Sequence, residues 1–307
     1  MPHNPGVPTI ESTQCPKETL TLSGNPKKRG ELLVARLADY DFQSKLRQFN
    51  ELRPPVTGIV VEAQKVLSSS LYTDEIIALE EQIKQKPVVI LSGAFRMGKS
   101  SILNAWERKN PKLKRGGDDL YGTDLDDETV NFLSEDYDEI FLDEFSPTQQ
   151  SIQHVDKLIL KGKRVILSTD LISLPRLEKT LQAANVNFGQ VIISLCDESE
   201  LTRYVSKILE LPEDDKLARI VASLSGGCPF VANIICSNII NTAYDYLNEE
   251  KTDNTGFIKR VINLSKDQIS SHFISWSEQR AQTDPVYHPY IPNPLLEHIQ
   301  PDNAQLE

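Results

Sequence analysis

PVVILSGAFRMGKSS, residues Pro87 to Ser101, decides how the rest of the chain is read. Its octet Gly93-Ala94-Phe95-Arg96-Met97-Gly98-Lys99-Ser100 fits G-x-x-x-x-G-K-[ST] at every fixed position. With glycine at about 7% of average usage, a random chain of this length holds such an octet roughly once in a hundred cases. The flanks sharpen the signal. Val88 to Leu91 is an apolar run of strand type, and from Lys99 to about Lys109 the residues Ile102, Leu103 and Trp106 recur at helical spacing. Strand, tight loop and helix is the order that a phosphate-binding loop needs. Gly93 and Gly98 give the loop backbone freedom that a Cβ would forbid, so consecutive N–H groups can turn inward around an anion. The helix start adds unpaired amides and the positive end of its dipole. The candidate cradle is therefore Gly93, Ala94, Phe95, Arg96, Met97, Gly98, Lys99, Ser100 and Ser101, with Lys99 reaching the β- and γ-phosphates and the Ser100 hydroxyl available to Mg²⁺.

A second stretch, YDEIFLDEF from Tyr137 to Phe145, reads as a short buried strand that ends in two acids. Parallel strands covered on both faces show such continuous apolar runs, and ligands of open α/β sheets bind at the carboxyl ends of the strands. Asp143 then stands where a carboxylate holds the Mg²⁺ shell, and Glu144 is placed to act as general base on an attacking water. The further run RVILSTD, Arg164 to Asp170, is another buried strand with polar residues at its end. In P-loop ATPases with an added central strand, that end lies beside the γ-phosphate and the attacking water; Ser168 and Thr169 are the candidates for this role, Thr169 being preferred.

Working outward, residues 1–29 are rich in Pro, Ser, Thr, Asn and Lys without periodicity and read as a flexible arm. Residues 30–85 read as a helical segment: one helix from Gly30 to about Asn50 ended by Arg53-Pro54-Pro55, a second over Val60 to Leu67, a third over Asp74 to Lys84. Alternating strand and helix patterns over 86–196 predict a doubly wound, mainly parallel sheet. Between Pro111 and Asp136, Lys112, Lys114 and Arg115 precede an acidic series from Asp118 to Glu128 whose spacing matches no calcium loop, and this part is expected to be an irregular surface loop. Residues 197–282 are all helical in pattern, with helices expected at 198–210, 213–224, 229–248, 256–264 and 267–280. The turn SGGCPF carries Gly226 and Gly227 at a helix end and Pro229 at the next helix start. Residues 283–307 form a Pro-rich tail.

The chain has 307 residues, a net charge of −11 and four cysteines, Cys15, Cys196, Cys228 and Cys236, with no C-x-x-C pair. The acidic balance disfavours nucleic acid as a general partner, since that binding draws on a basic surface. The cysteine pattern, an amino terminus without a basic stretch before an apolar core, and the lack of any membrane-spanning apolar run read as a cytoplasmic protein.

GAFRMGKS, FLDEF, VILSTD, VIISL leading to ESELTRYVSKIL, and SGGCPF occur in an order that resembles AAA+-type ATPases, in the branch with STAND ATPases, archaeal-type ATPases and Orc/Cdc6 proteins. The resemblance implies a P-loop NTPase α/β fold followed by a small all-helical lid subdomain. It also implies ATP and Mg²⁺ as ligands, with Pro229 and Gly227 lining the nucleotide pocket. Slow hydrolysis would drive a conformational or assembly switch, with a homo-oligomer or a partner protein engaged in the ATP state. Two other readings stay open, a DNA-associated ATPase assisting replication or transposition and a nucleotide-binding scaffold without turnover. The chain departs from that group in having no arginine after Pro229 and no assigned arginine finger, Arg176 being a candidate and Arg203 or Arg219 reading as structural.

Overall fold

The computed structural model describes residues 32–33, 35–37, 39–52, 54, 63–109, 115–116 and 125–283. The expected arm 1–29, Lys112 and Lys114, and the tail from 284 onward lie outside them.

Five strands form one parallel sheet among the described residues: β1 (Val88–Gly93), β2 (Arg115–Gly116), β3 (Glu139–Leu142), β4 (Arg164–Thr169) and β5 (Phe188–Ile193). Their spatial order is β2-β3-β4-β1-β5. Every residue of β1, β3 and β4 except Arg164 is buried, which is why these strands read as unbroken apolar runs. The edge strand β5 instead alternates, with Val191 and Ile193 inside and Ile192 exposed. Successive strand residues face opposite sides of the sheet. Val89, Leu91, Phe141 and Ile166 join one core, whereas Val88, Ile90, Ile140, Leu142, Val165 and Leu167 join another.

Helices cover both faces. On one side lie α3 (Thr73–Gln85) through Ile76, Leu79 and Ile83, and α4 (Lys99–Lys109) through Ile102, Leu103 and Trp106. On the other lie α5 (Asp127–Asp136), α6 (Gln149–Leu160) and α7 (Leu174–Ala183). Strand β4 sits between β1 and β3, and the register pairs Ser92 with Thr169 and Leu142 with Leu167. The ends of the three strands that carry the candidate site are therefore side by side. From β1 the chain crosses to one edge of the sheet and works back to β4. It then places β5 on the far side of β1, so the loop after β1 opens at the reversal point where α/β sheets take ligands.

The remaining helices, α8 (Glu198–Leu209), α9 (Lys216–Leu224), α10 (Pro229–Asn248) and α11 (Asn254–Thr283), form the all-helical part. Asp197 starts α8 with a capping box, its carboxylate accepting from the Glu200 amide at 2.7 Å. Helix α10 is apolar on most of its surface because it is enclosed by α8, α11 and the short helix α1 (Leu46–Glu51), and Phe49 of α1 belongs to the same core. Between α1 and α3 lies α2 (Ala63–Ser69).

Three details differ from the sequence expectation. The two last helices are one, since no glycine or proline interrupts 257–283, and Ser265 at the expected break is buried and accepts a bond from Asn238 Nδ2 at 3.0 Å. The expected helix over 30–50 is broken at Asp39–Phe42. There Tyr40 turns so that its carbonyl accepts from Asn254 Nδ2 at 3.0 Å, and Phe42 stacks on Phe257 at 4.6 Å. The segment before the sheet thus shares a core with the helical part. Within 111–136, Arg115–Gly116 adds an edge strand beside β3, and Asp126 caps α5 by accepting from the Thr129 amide at 2.7 Å. A Val130 and Leu133 stripe lay hidden there among acids. No helix of the described residues is long and apolar enough to cross a membrane.

Candidate nucleotide site

Strand β1 ends at Gly93, where a Cβ would stand 3.0 Å from Cβ of Ile193 on β5, so the close pairing of the two strand ends needs a glycine. The chain then arches over to α4, with Arg96 at φ +59° and Gly98 at φ +90°. Tyr72, buried just ahead of α3, supports the arch from below by donating its hydroxyl to the Met97 carbonyl. A side chain on Gly98 would meet that hydroxyl oxygen at 2.7 Å and the ring at 2.9 and 3.0 Å. Gly98→Ala is therefore expected to destabilise the protein by about 2 kcal/mol, through left-handed backbone strain and the collision with a ring that cannot swing away. A thermal unfolding midpoint equal to wild type would refute that account of the arch.

Lys99 opens α4, and its ammonium donates to the carbonyls of Gly93 and Ala94 at 3.0 and 3.1 Å, which ties the two feet of the arch together. Next to it the Ser100 hydroxyl donates to Oδ2 of Asp143 at 3.0 Å. The other carboxylate oxygen, Oδ1, accepts from the Glu144 amide at 2.9 Å. Glu144 itself has φ +47°, a conformation that costs a non-glycine residue about 1–3 kcal/mol, and it turns the chain out of the sheet. Immediately after it the Phe145 amide bonds to the Ser168 carbonyl at 2.8 Å, fixing β3 to β4 beyond the last ladder pair.

Phe95, Lys99, Glu144, Thr169, Asp170 and Trp276 line one small cavity of about 20 Å³. The structure therefore brings Lys99, Glu144 and Thr169 to a common space, with Ser100 and Asp143 joined at its side. Ser168 is buried with a hydroxyl that has no partner among the described residues, and it does not line the cavity. Asp170 is engaged in structure, accepting from the Ile172 and Ser173 amides at 2.9 Å each. Pro229 occupies the first turn of α10 and is buried outside the cavity, but both its neighbours reach the loop. Cys228 Sγ lies 3.9 Å from the Arg96 carbonyl, and the Phe230 ring lies 5.3 Å from the Arg96 guanidinium carbon. Gly227, at φ +85°, packs against the end of β5, where its carbonyl accepts from the Cys196 amide at 2.9 Å and a Cβ would meet the Cys196 carbonyl at 2.9 Å.

Sequence reasoning missed the aromatic cover of this site. Trp276 of α11 stacks on Phe95 with centroids 4.4 Å apart and planes at 21°, and Phe273 meets the same ring edge-on at 5.5 Å. The signal was the spacing of Ile269, Phe273 and Trp276 along one helix face, but nothing local says that this face meets the loop after β1. The Arg96 guanidinium lies over the Phe95 ring at 5.0 Å as well as over Phe230. Its pKa is lowered by burial, an effect that the Glu144 carboxylate opposes, and His272 is lowered first by burial and then by the Arg96 charge.

The residues fit a Mg²⁺-nucleotide. Mg²⁺ binds oxygens at 2.0–2.1 Å in an octahedron, so neighbouring ligand oxygens stand about 2.9 Å apart. The 3.0 Å between the Ser100 hydroxyl and the Asp143 carboxylate matches such an edge. Among the described residues no three His, Cys, Asp or Glu side chains gather as a metal centre. Mg²⁺ in nucleotide sites is held by one or two carboxylates, with phosphate and water completing its shell.

A parallel sheet in the order β2-β3-β4-β1-β5, with a glycine-rich loop between β1 and α4 and an all-helical part after β5, is a P-loop NTPase α/β fold. Among solved structures the chain is similar to the Walker-type ATPase PABY2304 of Pyrococcus abyssi, at 16% identity and a TM-score of 0.48 over 81% of this chain and 91% of that one. It is also similar to domain III of the Thermotoga maritima replication initiation protein DnaA (15%, TM-score 0.44, 65% and 91%). A third is the Thermotoga maritima RuvB Holliday junction branch migration motor (14%, TM-score 0.44, 70% and 73%). No protein-family model and no curated protein matches the chain.

Proposed function

We propose that the chain binds ATP with Mg²⁺, hydrolyses it slowly, and uses the nucleotide state to set the position of its helical part or its assembly with itself or a partner protein. The observation that carries this reading is the Ser100–Asp143 bond at 3.0 Å beside Lys99 and Glu144 at the mouth of α4. Mg²⁺ held there would neutralise charge on the β- and γ-phosphate oxygens. The chain's own groups do the rest. Lys99 and the loop amides from Gly93 to Ser101 bind and orient the phosphates, and they are fixed in place before the substrate arrives. Glu144 accepts the proton of a water aligned with the γ-phosphorus. Thr169, on the strand between the two halves of the site, holds that water or the γ-phosphate. Phe95 and Trp276 exclude bulk water, which strengthens every charge interaction inside. ATP is favoured over GTP because no N-K-x-D guanine-reading element stands in a suitable place.

Calorimetric titration with ATP, with Mg²⁺ and with EDTA, tests the reading on wild type and Asp143→Asn. Wild type is expected to bind, and more tightly with Mg²⁺. Asp143→Asn is expected to lose about tenfold or more of the Mg²⁺-dependent gain, as one charged ligand is worth about 1.5–3 kcal/mol. Absence of ATP binding by wild type in the presence of Mg²⁺ would overturn the proposal.

A further inference from the structure

The G-x-x-x-x-G-K-[ST] pattern fixes nothing at its four middle positions, yet Arg96 in the middle of the loop makes contacts that a spacer would not. It holds φ +59° although it is not glycine. Its guanidinium carbon stands 5.0 Å from the Phe95 ring centre and 5.3 Å from that of Phe230. Its Nε is buried and has no hydrogen-bond partner among the described residues. The guanidinium is therefore gripped by two aromatic faces and feels the Glu144 charge, while its buried Nε is a donor without an acceptor; a guanidinium fork fits carboxylate or phosphate. The same residue reaches the helical part twice, through its carbonyl at Cys228 and its side chain at Phe230, which in turn meets His272 of α11 at 5.2 Å. The turn Ser225–Phe230 carries no arginine of its own.

We infer that Arg96 binds the terminal phosphate of the nucleotide, so that the loop itself supplies a γ-phosphate-reading cation. The inference rests on the nucleotide reading above and adds to it a residue that separates ATP from ADP. A half-buried guanidinium with an unpaired Nε gains from an anion with several oxygens, and it gains most from the phosphate that ADP does not have. Because the fork also leans on Phe230, the presence of that phosphate is felt at the start of α10.

Two variants test it. Arg96→Gly removes the guanidinium and at the same time relieves the left-handed backbone, so the loop itself is not strained by the change. Arg96→Lys keeps the charge but loses the fork. Dissociation constants for ATP and for ADP, each with Mg²⁺, are measured for both variants and for wild type, together with thermal unfolding midpoints. Arg96→Gly is expected to weaken ATP by about tenfold or more, the worth of one charged hydrogen bond, while ADP changes by less than about twofold. Arg96→Lys should fall between. Equal weakening of both nucleotides would mean that Arg96 only shapes the loop, and an unchanged ATP-to-ADP ratio would likewise overturn the inference while leaving the nucleotide reading intact. Wild type that binds neither nucleotide would remove both.

Discussion

Lys99→Ala is expected to weaken Mg-ATP binding by about a hundredfold or more. Two effects add. The one N–H that the loop carbonyls leave over supplies a charge-assisted hydrogen bond to phosphate worth about 1.5–3 kcal/mol, against the 2.8 kcal/mol that a hundredfold requires. The ammonium also bonds the Gly93 and Ala94 carbonyls at 3.0 and 3.1 Å, so its removal loosens the arch that aims the loop amides. Titration of the variant against wild type reads the loss directly. Equal ATP affinities in the two proteins would mean that the loop after β1 is not where the phosphates bind.

Glu144→Gln is expected to cut turnover by about 10²- to 10⁴-fold while leaving ATP binding in place, since a positioned general base contributes that much and glutamine cannot accept the proton. The substitution keeps the size of the side chain and asks nothing new of the backbone at φ +47°. Phosphate release and ATP binding are measured on the same preparation, and unchanged turnover would exclude Glu144 as the base. The variant also holds the ATP state long enough to weigh. If nucleotide state controls assembly, its molar mass in solution rises with Mg-ATP and not with ADP. A constant mass would direct the switch to movement of the helical part or to a different partner chain.

Where chain-local patterns decide structure, the reading from sequence and the coordinates agree closely. The helix expected at 229–248 is Pro229–Asn248, because Pro229 sets its start and the glycines before it end α9. The strand expected over Arg164 to Asp170 is Arg164–Thr169, and it lies between β1 and β3 as an added central strand should. Ser100, in the first turn of α4, and Asp143, just after β3, meet at 3.0 Å across the end of β4, which lies between β1 and β3. What escaped was long-range. Asp39–Phe42 reads as part of a helix until Phe257 and Asn254 offer a better seat for Phe42 and for the Tyr40 carbonyl. The two-residue strand at Arg115 has no periodicity to detect, and it exists only because β3 presents an open edge. Trp276 was legible as a helix residue but not as part of the site, since the partner that defines its role, Phe95, lies at the far end of the sequence order.

Helix α11 is unbroken over 30 residues. At 1.5 Å per residue it is a rod of about 45 Å, with about 28 Å between Phe257, seated on Phe42, and Trp276, stacked on Phe95. Such a rod acts as a pointer. Each degree by which it tilts about its Phe257 end sweeps the Trp276 ring by about 0.5 Å, and an aromatic contact surrenders much of its attraction within about 1 Å. A tilt of two degrees at one end is thus enough to uncover the loop at the other, which makes the aromatic stack a fine-pitched gauge of how the first helices sit against the last.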